Sequence, residues 1–274
     1  MPPAQALATP VRRCPVTKTT LPSFFLQKLT LRSHPETGAP WFFPGGLDSK
    51  VPTTATDAGD ETSGAAKVKQ PQSGPSGYIL SRQRLLQELQ RPNSVHSKGY
   101  KNLLRMSDHG HTNLGSVLNH ATWRSDMDLV VLEMMRRRAA ESLAYFAKMV
   151  ETESRDYIVK CERWGDVKPL KHKGCLLYLG LPEGTSSESG LDSVPPRLST
   201  MDAGHQLVVH NLRDLLGEEH VSRLRQGNEL FREGSLFLLV KLATVNLQLL
   251  LWKLQGYMRS EGPMGTGEAK PSPE

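Results

Sequence analysis

Three cysteines in 274 residues, Cys14, Cys161 and Cys175, are too few to staple a disulfide scaffold. Aromatic residues make up 6% of the chain and apolar residues 38%, a thin supply for this length. One modest core with a good deal of unstructured chain is therefore expected. The N-terminus lacks the continuous apolar stretch of a secretory signal. Catalytic signatures are missing as well: there is no Gly-x-Ser-x-Gly elbow and no His-Glu-x-x-His pair. Gly262 to Gly267 has the glycine spacing of a P-loop, but Glu268 stands where a lysine must meet the phosphates. The paired acids Asp126/Asp128 and Glu218/Glu219 each open a helical pattern, where capping and the helix dipole account for them.

Metal ligands do not assemble either. His109 and His111 offer two imidazoles, and Cys161, His172 and Cys175 offer three zinc-type groups. The cysteines lack the C-x₂₋₄-C spacing and no fourth ligand is evident, so neither metal nor cofactor is expected.

The scarcity of acid is local. Residues 1–35 contain Arg12, Arg13, Lys18, Lys28 and Arg32 and no Asp or Glu, and so hold five of the six net positive charges. The rest of the chain is close to neutral, which removes a whole-domain electrostatic case for a polyanion partner. A basic, Ser/Thr-bearing, acid-free N-terminus has the profile of a mitochondrial presequence, with a basic nuclear or cytosolic tail as the alternative. Prolines 2, 3, 10, 15 and 22 leave Ser23 to Ser33 as the stretch free to form its helix.

Several segments read as irregular chain. Residues 36–77 combine an aromatic patch, with Trp41, Phe42 and Phe43 between Pro40 and Pro44, and a linker poor in large apolar residues. The three rings can dock on the protein's own core or anchor a partner. Residues 182–204 form an internal loop and 259–274 a tail of the same composition.

Helical periodicity dominates what remains. Leu85, Leu86 and Leu89 mark a short helix from Ser81 to Arg91, stopped by Pro92. Ser125 and Asp128 form a capping box ahead of a helix of at least seven turns. Its apolar stripe is Leu132, Met135, Ala139, Leu143, Phe146 and Val150, with Arg137, Glu141 and Lys148 opposite. Tyr157–Val159 and Cys175–Leu179 are β-prone and could pair as a hairpin. Helical signals return at Leu207–Leu216, closed by Gly217, and at Glu218–Gln226.

Ser235 to Tyr257 reads as a last helix. Its central stretch is long enough to span a bilayer, but Lys241, Thr244, Asn246, Gln248 and Lys253 interrupt it and argue against a membrane span. Two apolar faces result, one with Leu242, Leu249 and Trp252 and the other with Leu250, which places the helix in the middle of a bundle.

The expected fold is therefore mostly α: an irregular helical bundle over 78–258, with room for a small β-hairpin and long disordered segments. The function expected is that of a non-enzymatic helical interaction protein, a mitochondrial assembly or accessory factor, with a protein partner at Leu242, Leu249, Leu250, Trp252, Trp41, Phe42 and Phe43. The alternative is an RNA-binding auxiliary protein, mitochondrial or nuclear. It would use the basic stretch Arg82, Arg84, Arg91, Lys98, Lys101 and Arg105, with Tyr78 and Tyr100 as stacking groups.

Overall fold

A computed structural model describes residues 2–47, 74–104, 117–118, 120–153, 155–161, 174–180, 198–200, 206–232, 234–240 and 242–259. Expectations for most of 48–77 and 182–204, for the tail from 260, and for Arg105, His109, His111, His172 and Lys241 lie outside the described residues. The fold is mixed α and β, with three sheets, and not the mostly helical bundle expected from periodicity.

The first difference is at the N-terminus. Helix α1 (Pro2–Leu7) leads into a small antiparallel pair, β1 (Val11–Arg13) and β2 (Thr20–Pro22). Ser23–Phe25 is a single 3₁₀ turn, and Leu26–Ser33 is not helical but the strand β3. β3 is the central strand of an antiparallel sheet between β4 (Pro40–Pro44) and β5 (Ser76–Leu80). The aromatic patch is thus an edge strand, and the ordered region begins well before Tyr78. The physical reason is pairing. Leu29 and Leu31 alternate with Thr30 and Arg32 at period two, and strands on both sides satisfy the β3 backbone while Leu26, Leu29 and Leu31 become buried. Gly77 lets β5 close on the chain behind it, since a Cβ there would lie 2.4 Å from the Leu103 carbonyl oxygen.

The two clearest periodic segments are helices. α2 spans Gln83–Gln90 and buries Leu85, Leu86 and Leu89. α3 spans Met127–Glu153 and buries Leu132, Met135, Ala139 and Leu143, with Phe146 and Val150 half-buried at its far end. α3 is the spine of the molecule, packing against α2 and most of the C-terminal helices.

The C-terminal half holds a five-stranded sheet in the order β6-β10-β7-β9-β8, built from Ile158–Cys161, Leu236–Leu239, Leu176–Tyr178, Gln206–Asn211 and Leu198–Thr200 respectively. β6 and β7 do not form the expected hairpin, because β10 inserts between them and pairs with both. Leu207–Asn211, expected to be helical, lies in β9. The helix begins only at α4 (Leu212–Leu216), where the Asn211 side chain accepts from the Arg213 and Asp214 amides. Gly217, with φ of 80°, turns the chain into α5 (Glu218–Gly227), followed by the single turn α6 (Glu229–Arg232).

Ser235–Tyr257 is likewise not one helix. It divides into β10, a 3₁₀ turn over Leu242–Thr244 and α7 (Val245–Met258). Every residue of β10 is buried: Phe237 and Leu239 face the helices, while Leu236 and Leu238 join a second cluster with Leu176, Leu207 and Val209. A short apolar run buried on both faces has no period by which helix and strand can be told apart. Among the described residues no helix is long and apolar enough to cross a membrane.

Candidate binding surfaces

The residues singled out in the sequence do not gather at one place. Leu242 sits in the 3₁₀ turn, 82% exposed, and belongs to no helix face. Leu249 and Leu250 are half-buried on α7. Phe42 is fully buried against Tyr100 and Trp123, with ring centroids 5.8 and 5.6 Å away. Trp41 and Phe43 point to the opposite side of β4 and remain half-buried.

Within the basic stretch Arg82 to Arg105, two cations have partners inside the protein. Arg82 donates to the Gly256 carbonyl at the end of α7, and Arg84 pairs with Glu88 one helical turn on. Arg91 and Lys98 are exposed, Lys101 is half-buried, and Arg105 lies outside the described residues. Tyr100, expected to stack on a base, is half-buried and stacked on Trp123 at 5.1 Å against the core.

Cys161 and Cys175 belong to different clusters, one on each face of the five-stranded sheet, with β10 separating their strands. They cannot meet at one ion. Burial pushes the Cys175 thiol far above its ordinary value, so it stays protonated and unreactive.

Two other surfaces emerge. The first is a groove of about 720 Å³ between α3 and α5. Ala140, Ala144 and Leu224 form its floor; Arg137, Glu141 and Lys148 stand along one wall, and Arg223 on the other. His220 ties the walls together, its Nε2 2.8 Å from Glu133 Oε1.

The second is the outward face of the β4-β3-β5 sheet. Register places Lys28 beside Tyr78, Thr30 between Phe43 and Ser76, and Arg32 beside Trp41. The Arg32 guanidinium lies over the Phe43 ring at 4.3 Å, and that of Arg12, from β1, stands 5.9 Å from the Tyr78 centroid. No strand from β1 to β5 carries an Asp or Glu. At the Leu80 end this face runs into a cavity of about 370 Å³ whose walls include Phe24, Phe25 and Trp252 and whose cations are Arg82, Lys253 and Arg259. The three rings cluster at 5.0 to 5.7 Å. Lys253 donates to the Leu26 carbonyl at 2.9 Å, and burial, with Arg138 nearby, lowers its pKa to about 8.

Sequence reasoning missed Lys28, Arg32 and Tyr78 as neighbours, although the alternation of Lys28, Thr30 and Arg32 with Leu29 and Leu31 carried the signal. Comparison with known proteins finds no match, whether to a family model, a curated protein or a solved structure.

Proposed function

We propose that this chain is a non-enzymatic accessory protein that acts by binding an amphipathic helix of a partner protein in the α3–α5 groove. The observation that carries the reading is the groove's composition. Its floor of Ala140, Ala144 and Leu224 is apolar, and two of the three are small enough to let a helix backbone approach closely. Charges of both signs on the walls (Arg137, Lys148 and Arg223 against Glu141 and Glu151) suit a partner helix with mixed charge flanking its apolar stripe. The basic, acid-free N-terminus supports a mitochondrial location. Because Cys14, Leu26, Leu29 and Leu31 are core residues, this address is one that the folded protein retains.

The test is site-specific crosslinking from a photoreactive residue at Tyr145, a groove residue, in cells. The expected result is crosslinks mapping to one face of a helix in a single partner, abolished by Ala144→Arg with no change in thermal midpoint. Crosslinks that persist in Ala144→Arg, or that scatter over unrelated surfaces, would remove the groove from the account.

A further inference from the structure

The outward face of the β4-β3-β5 sheet alternates rings and cations. Along β3 the side chains on this face are Leu26, Lys28, Thr30 and Arg32, spaced two residues apart; Leu26 and Thr30 are buried, while Lys28 and Arg32 are half-buried and reach its surface. Tyr78 and Leu80 on one side, and Phe43 and Trp41 on the other, flank them in register. From Lys28 to Arg32 the open part of this track runs about 13 Å at ~3.3 Å per residue. Each of Tyr78, Phe43 and Trp41 is half-buried, so each ring keeps part of its surface open.

Charge gives the track its sign. Arg12, Lys28 and Arg32 lie on or beside it, and the strands that build it contain no acid. The cavity at its Leu80 end repeats the same chemistry, with three rings, three cations and, among the described residues, no acidic lining. Of the five cations in the acid-free first 35 residues, Arg12, Lys28 and Arg32 stand at this aromatic surface.

We propose that this face, with the cavity that continues it, binds single-stranded nucleic acid. Rings at the spacing of a sheet surface offer stacking platforms for roughly two or three bases. The cations between them track the phosphates, whose charge is opposite and whose spacing is regular. A duplex buries its base faces and could not use the rings. An acidic protein would match the charge and leave the rings without a partner. The proposal is independent of the α3–α5 groove, which lies on other elements.

The experiment uses the full chain and a fluorescein-labelled oligouridylate of about 12 nucleotides, with the deoxy oligothymidylate as a second arm, read by anisotropy. Salt is varied from about 50 to 200 mM. Binding is expected for the single strands, with a negative log–log salt slope. Phe43→Leu and Tyr78→Leu each weaken it by about 5- to 150-fold, the range of one lost stacking contact. The triple variant Arg12→Gln/Lys28→Gln/Arg32→Gln lowers the slope by about 2, at ~0.7 per phosphate contact. Arg12→Gln/Arg13→Gln, on exposed positions of β1, repeats the slope test without touching a buried residue. Ala144→Arg leaves all of this unchanged. RNA that binds more tightly than DNA assigns the strand as RNA, and equal affinity assigns both. Any of three results overturns the proposal: no binding at the lowest salt, ring variants that bind as the parent does, or a polyglutamate chain that binds as tightly as the oligonucleotide.

Discussion

The Tyr257 hydroxyl donates to the backbone carbonyl of Asp128 at 2.8 Å, across 129 residues of sequence, and both side chains are buried. The Asp128 carboxylate in turn accepts from Gln87 at 2.9 Å and, more weakly, from Gln90 at 3.4 Å and Gln83 at 3.5 Å, all on α2. This junction fastens the end of α7 to the start of α3 and the face of α2. Tyr257→Phe removes one buried hydrogen bond while the Asp128 carbonyl keeps its place in the α3 ladder, so it is expected to cost about 1 kcal/mol in urea unfolding. Asp128→Ala releases three amides and is expected to cost at least as much. Unchanged midpoints for both would show that the junction is not structural.

His210 faces the helices beside Leu177 in β9, 2% exposed, and burial lowers its pKa to about 4. The unfolded chain takes up the proton near 6.5 and the folded chain only near 4. Stability is therefore complete above pH 6.5, falls as pH drops below it, and levels near 4, with a total of about 3 kcal/mol. His210→Phe should flatten the stability profile between pH 4 and 6.5. A parallel profile for parent and variant would contradict the assignment.

Lys253, also a base with its pKa lowered by burial, follows the same logic at higher pH. Its pKa is lowered to about 8 by burial and by Arg138, against an ordinary 10.5. Between those values the unfolded chain holds the proton that the folded chain has lost, so this group makes stability rise with pH from about 8 to 10.5. Cys175 works against it in the same range, because its raised pKa favours the unfolded chain as the solution becomes alkaline. The measurement is therefore a difference: the parent minus Lys253→Met should show a positive slope over that window, and a flat difference would contradict it.

Leu242 and Leu251 separate the strand-turn-helix arrangement from a continuous helix. Leu242→Asp, at an 82% exposed position, should change stability by no more than about 0.5 kcal/mol. Leu251→Asp places a charge at a fully buried position of α7 and should unfold the chain or cost on the order of 3–5 kcal/mol. Thermal or urea melts read both.

Deletion of residues 1–35 removes β3, the strand that holds β4 and β5 together. The truncated chain is expected to lose cooperative unfolding, and the mature N-terminus found in cells is expected to lie before Val11. Cooperative folding of the truncated chain, or a mature terminus near residue 35, would restore a removable leader.

The sequence by itself determined α2 and α3, because their apolar residues recur at helical spacing over enough turns to leave no other reading, and it placed the turn at Gly217. It also determined that five of the six net positive charges fall in the first 35 residues. Only the tertiary structure decided what Leu26–Ser33, Gln206–Asn211 and Leu236–Leu239 become. Each is a short segment whose backbone can be satisfied as helix or strand, and the choice rests on partner strands supplied by other parts of the chain, as when Leu80 pairs with Leu26, Cys161 with Leu236 and Leu176 with Val209. Leu236–Leu239 has no period to read and the alternation around Leu29 and Leu31 spans only a few residues, while the neighbours of each strand are set by pairing, so the face shared by Lys28, Arg32, Phe43 and Tyr78 became visible only in three dimensions.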